Sequence, residues 1–144
     1  MNAKRTVMWV TALFALTVGA PIHAADSRDL LPKARSAGGI LYLTGGVGAR
    51  ERAALKPLAK DYNLRLTFID ARGAFLAFVQ VSIEDAQGRV LLNERSDGPW
   101  FFVRVPPGTF RITATRNGER LSREVEVVPT RASEIVMQWP DASR

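Results

Sequence analysis

From Asn63 to Trp139 the chain alternates apolar and polar side chains with a period of two, and turn-forming residues interrupt the alternation at even intervals. Successive side chains of a strand leave on opposite faces, so this spacing predicts half-buried strands and excludes helix over the same residues. Leu64, Leu66 and Phe68 alternate with Arg65, Thr67 and Ile69; Val79, Val81 and Ile83 alternate with Gln80, Ser82 and Glu84. Asp85-Ala86-Gln87-Gly88 and Ser96-Asp97-Gly98-Pro99 read as turns, with strands over 89–94 and 100–105 after them. Pro106-Pro107-Gly108 ends the latter strand, because proline supplies no backbone donor. Phe110, Ile112 and Ala114 then face inward, and 134–139 closes the chain. Several short strands at this spacing predict a β-sandwich.

One hairpin can be registered residue by residue. Asn117-Gly118 suits a two-residue type I′ turn, in which both central residues need positive φ. That turn pairs Arg116 with Glu119, Ala114 with Leu121, Arg111 with Glu124 and Phe110 with Val125. Apolar meets apolar on one face and opposite charges meet on the other. Arg123 falls opposite Ile112 on the apolar face, which requires either a place at the sandwich rim or a bulge in the strand.

The first half of the chain is organised differently. Residues 40–43 are a brief apolar stretch before Gly45, Gly46 and Gly48. Leu55, Leu58, Ala59 and Tyr62 follow at i, i+3, i+4 and i+7, the spacing of one helical face. Pro57 lies inside that pattern and predicts a kink or a restart. Trp100, Phe102 and Arg104 alternate with Phe101, Val103 and Val105, so one set fills the sandwich. The other is either covered by the amphipathic helix or left as a partner-binding patch, and helix cover is expected because the 55–62 stripe also needs a surface to bury against.

Residues 1–24 have the order of a secretory signal peptide: Lys4 and Arg5, the apolar run 7–18, then small residues around Ala24. The run is shorter than the ~20 residues a membrane span needs, so a cleaved leader is expected and no transmembrane anchor after it. Cleavage lowers the net charge from +6 to +4 over the remaining 120 residues and removes His23, the one histidine of a chain without cysteine. The expected organisation is a signal peptide (1–24), a flexible leader (25–39), a glycine turn and helix (40–62) and a β-sandwich domain (63–140), in a periplasmic or secreted protein.

Residues 75–128 resemble a carboxypeptidase regulatory-like domain, the transthyretin-like or prealbumin-like sandwich. The similarity is carried by Val79-Gln80-Val81-Ser82-Ile83 with its Asp85-Ala86-Gln87-Gly88 turn. It is carried also by Pro106-Pro107-Gly108-Thr109-Phe110, where Phe110 stands in for the tyrosine of a Pro-Gly-x-Tyr pattern. With Tyr42-Leu43-Thr44-Gly45-Gly46-Val47-Gly48 and Ser96-Asp97-Gly98-Pro99-Trp100, the chain looks like small secreted proteobacterial proteins that carry such a domain. The resemblance implies a mainly β, seven-stranded sandwich, here with one N-terminal amphipathic helix, serving as an accessory or binding module.

Chemistry is constrained from the residues themselves. Without histidine or cysteine in the mature chain, the usual general bases and the imidazole and thiolate metal ligands are missing, so no catalytic residue, cofactor or metal is expected. Glu84 and Asp85 are adjacent in a strand and diverge unless a bulge turns them together. Glu124 and Glu126 match Arg111 and Thr109 across the hairpin. The glycines 45, 46 and 48 precede a helix, where free N–H groups could hold an anion, yet they match no nucleotide fingerprint. The expected role is therefore protein interaction within the cell envelope through the Trp100 region or an edge strand. The alternative is a small-ligand or polyanion binder. The possible contact residues are Gly45, Gly46, Gly48, Trp100, Phe102, Arg104, Arg111 and Arg123; the basic residues are too dispersed for a nucleic-acid interface.

Overall fold

The computed structural model describes residues 31–141. The expected leader, the start of the 25–39 segment and residues 142–144 lie outside them. Nine strands and one α-helix are present among the described residues: β1 (Arg35–Ala37), β2 (Ile40–Gly45), α1 (Gly48–Leu55), β3 (Leu64–Ile69), β4 (Gln80–Asp85), β5 (Val90–Arg95), β6 (Trp100–Arg104), β7 (Gly108–Arg116), β8 (Glu119–Val127) and β9 (Ser133–Gln138). A 3₁₀ helix, Lys56–Asp61, continues from α1. The strands form two sheets, β1-β2-β6-β3-β9 and β5-β4-β7-β8. All neighbours are antiparallel except β3 and β9, which run parallel.

The expected count of seven strands is corrected to nine. One addition, β1, lies where a flexible leader was expected. Gly38 and Gly39 both take positive φ (56° and 81°), turning the chain so that Ala37 pairs with Ile40 and Arg35 with Tyr42. Glycine adopts both conformations without steric cost, and Gly-Gly is a hairpin turn by the same rule as Asn-Gly.

Alternation is obeyed inside the sandwich. Leu64, Leu66 and Phe68 of β3 meet Val81 and Ile83 of β4, Phe101 and Val103 of β6, and Ile112 and Ala114 of β7 in one core, closed by Met137 and Trp139. Burying each large side chain contributes roughly 1.5–3 kcal/mol, and this chain has no disulfide to supplement it. Tyr42 stacks on Phe101 and Trp139 meets Phe68 edge-on. Asn63 extends the β3–β6 ladder with its side chain, donating to the Val105 carbonyl (2.6 Å) and accepting the Val105 N–H (2.9 Å). The β7–β8 register is the one that Asn117-Gly118 predicts, from Arg116–Glu119 to Gly108–Val127 without a shift. Arg123 is accordingly exposed on an edge strand with no bulge.

Pro57 decides the shape of the helical segment. Lacking an N–H and crowding the preceding turn, it ends α1 at Leu55 and occupies the first turn of the 3₁₀ helix. The tighter winding rotates the expected stripe: Leu55 and Tyr62 are buried and Ala59 is partly so, whereas Leu58 turns outward. That last position corrects the expectation of a continuous four-residue face. Among the described residues no helix is long and apolar enough to cross a membrane.

Candidate functional site

The outer face of the β1-β2-β6-β3-β9 sheet carries the strongest aromatic cluster outside the main core. α1 and the 3₁₀ helix cover its β2 side, where Leu43, Leu55, Tyr62 and Phe102 form a second buried cluster flanked by Trp100 and Ala59. The helical segment thus covers Phe102, as the stripe requires. Trp100 stacks on Phe102, with ring centroids 5.7 Å apart, and stays partly exposed. Its carbonyl accepts a bond from the Thr44 hydroxyl, which in turn accepts the Asp97 N–H.

The β9 side of this face is open. Trp100, Thr67 and Val136 stand in register across β6, β3 and β9, and the next row is Phe102, Arg65 and Glu134. These side chains, with Lys56 and Ala59 of the 3₁₀ helix, line a cleft of about 350 Å³. Its polar wall is the Arg65–Glu134 pair (2.9 Å), and Arg65 is held further by the Tyr62 carbonyl (3.2 Å). Val136 is 54% exposed at the sheet edge. The N–H groups of Ser133 and Trp139 donate to the β3-side carbonyls of Asn63 and Ile69. Strand alternation therefore directs the N–H groups of Glu134, Val136 and Gln138 away from β3. No strand pairs with β9 on that side among the described residues.

The glycine turn holds an anion of its own. Glu51, in the first turn of α1, accepts the Gly46 N–H at 2.7 Å, and Arg52 donates to the Gly46 carbonyl at 2.9 Å. A side chain at Gly46, whose φ is 94°, would press on Trp100 and Arg52. Gly45 and Gly46 are thus a close-packed connection in which the Gly46 N–H already has a carboxylate partner, whereas Gly48 is exposed with open space around it.

The arginines do not assemble into one site. Arg104 donates twice to the Asp61 carbonyl, through Nε and Nη2, and so satisfies the end of the 3₁₀ helix where cations are favoured. Burial pushes the neighbouring Tyr62 phenol above its ordinary value of 10.0; Arg104 opposes that rise and Asp61 adds to it. Arg111 lies between Glu84 and Glu124 on the outer face of the other sheet, whereas Arg123 sits one register position on and projects from the opposite face. Neither is on the sheet that carries the glycine turn.

The bulge beside Ile83 and Glu84 lies on β5, where Leu91 is the extra residue; β4 runs unbroken against β7, so Glu84 and Asp85 diverge. The Asp85 carboxylate is committed to the N–H groups of Gln87 (3.0 Å) and Arg89 (2.9 Å) and to Arg89 Nε (2.8 Å). The Arg89 N–H, the largest influence, holds this carboxyl below its ordinary 3.8; the Arg89 guanidinium and the Gln87 N–H act in the same direction, against some burial. Among the described residues no group of three or more metal-ligating side chains converges.

Sequence reasoning missed Arg65, Thr67, Glu134 and Val136. The alternation in 134–139 marks their outward face, but the parallel pairing that brings β9 beside β3 has no local signal. No protein-family model matches the chain, and no curated protein matches it.

Proposed function

We propose that this protein is a non-catalytic binding module of the cell envelope, periplasmic or secreted and built on a carboxypeptidase regulatory-like sandwich, that takes an extended segment of another envelope protein along β9. The observation that carries this reading is the uncovered row Trp100–Thr67–Val136, which ends at a sheet edge with unpaired backbone donors and acceptors. An added strand would gain main-chain hydrogen bonds from that edge and specificity from an apolar side chain placed in the adjoining cleft.

The other edges suit the role less well. β1 has three residues, β5 is bulged against β4 and ends in Asn93, Glu94 and Arg95, and β8 presents Arg120, Arg123, Glu124 and Glu126 in close succession. Short or densely charged edges are the usual protection against strand pairing.

The test is a photo-crosslinking residue at position 136 of the full chain in the producing cell. A discrete adduct is expected at 136 and none from position 120 on β8. Gln138→Pro removes an N–H that is directed away from β3, and Thr67→Arg fills the cleft; each should abolish the adduct from position 136. An adduct that survives both changes, or none at 136, would overturn the reading.

A further inference from the structure

Phenylalanine is buried at positions 68, 101, 102 and 110, yet Phe75 and Phe78 are 48% and 61% exposed. Both lie in the connection from β3 to β4, residues 70–79, at the end of the sandwich where β5 ends and β6 begins. This connection is a built loop. Asp70 accepts the N–H groups of Arg72 and Ala74 through Oδ1, and Asp70 and Ala74 pair through their backbones (2.9 Å). Leu76 and Val79 anchor it in the core.

Phe78 is held outward at a cost. Its φ is 59°, a left-handed conformation that a bulky side chain rarely adopts. Fully buried Ser96 fixes it from three directions: its carbonyl accepts the Phe78 N–H, its hydroxyl accepts the Val79 N–H, and its own N–H donates to the Val79 carbonyl. Backbone strain maintained by such scaffolding is characteristic of functional positions.

Two arginines accompany the exposed rings. Arg52 lies over the Phe75 ring at 4.6 Å and Arg95 over the Phe78 ring at 4.7 Å. Exposed Arg72 lies between Asp70 and the two rings in sequence. Of the acidic groups nearby, Asp70 is engaged in its loop, Glu51 at Gly46 and Asp97 with Arg35, whereas Glu94 precedes Arg95 and Glu119 and Asp141 share a cleft with Asp70, Leu76 and Arg116. Arg52, Arg72 and Arg95 have no carboxylate within 4.0 Å among the described residues. Val47, 59% exposed, adds an apolar side chain next to the Gly46 carbonyl that Arg52 holds.

We infer that this end of the sandwich docks onto an anionic phospholipid surface, with Phe75 and Phe78 entering the headgroup boundary and Arg52, Arg72 and Arg95 facing phosphate. Aromatic burial and attraction of arginines are the two contributions to interfacial binding, and this loop presents both together. The site is separate from the β9 cleft and does not depend on it.

The chain has no cysteine, so a single introduced thiol can be labelled uniquely. A readout fixed at the loop is needed because the apolar run of residues 7–18 could itself meet lipid. In the full chain, Ala74→Cys carrying an environment-sensitive fluorophore should blue-shift with vesicles of phosphatidylglycerol and phosphatidylcholine in equal parts. The same label at Gln87→Cys, in the β4–β5 turn at the opposite end, should not. Phe75→Ser with Phe78→Asn should lower affinity about tenfold or more; asparagine tolerates the left-handed backbone. Arg72→Gln, a change to an exposed side chain, should lower affinity about fivefold, and added salt should act in the same direction. Equal shifts at both labels, equal shifts with phosphatidylcholine alone, or no shift at position 74 would overturn the inference. So would a shift that grows with protein concentration without vesicles, which would assign the surface to a second copy of this chain.

Discussion

The backbone of Gly98 lies directly against the Gly45 carbonyl, so that a methyl group on residue 98 would overlap the carbonyl oxygen and carbon. Gly98 is in the turn that leads into β6, and Gly45 is the residue of β2 that pairs with Trp100. Gly98→Ala must therefore separate β2 from the β6 turn, and overpacking of this kind costs about 1–3 kcal/mol. Chemical denaturation should show a lowered midpoint with an unchanged slope.

Ser96→Ala leaves the Val79 N–H buried without its acceptor. An unsatisfied buried donor costs about 1–3 kcal/mol, and hydrogen exchange at the Val79 amide should accelerate accordingly. Phe78→Asn, in contrast, should raise the denaturation midpoint, because asparagine adopts the left-handed backbone that costs phenylalanine about 1–3 kcal/mol.

The Glu51 carboxylate occupies the Gly46 N–H, so inorganic phosphate should leave the Gly46 amide resonance unmoved in the parent protein. In Glu51→Ala the donor is released, and phosphate titration should then shift that resonance. A phosphate response in the parent would restore the glycine turn as an anion site.

Asp85 ties the β4–β5 turn to pH. Its carboxyl sits below 3.8 in the folded protein, so the stabilisation it gives is complete above pH 3.8 and fades as pH falls through the lower folded value. The amides of Gln87 and Arg89 should lose protection in that acid range. In Asp85→Asn their exchange should no longer vary with protonation of this side chain.

Features fixed by neighbouring residues could be read from the sequence. Asn117-Gly118 sets the β7–β8 register through to Gly108–Val127, and alternation alone separates Phe101 from Phe102 into two different clusters. Pro57 marks the break in the helix because its effect acts within one turn. β1 escaped notice because three residues with no apolar alternation give little signal, and Gly38-Gly39 reads equally as a flexible tract. The open cleft was legible only through Trp100: Thr67 and Val136 join it through a parallel pairing between distant strands. The hold of Ser96 on Phe78 is likewise tertiary, for no propensity places a phenylalanine at positive φ.

The parallel strand also sets an order of events. β9 joins β3 across 69 residues, as the Arg65–Glu134 pair marks. With Trp139 directly after it, β9 brings core side chains that are synthesised after every other described strand. Long-range pairings of this kind are slow to form, so the nascent chain can build its β7–β8 hairpin on the ribosome while one layer of the sandwich still lacks its last strand. Closure of the core thus waits for β9, and a protease that cuts between β8 and β9 would take Met137 and Trp139 out of the sandwich interior.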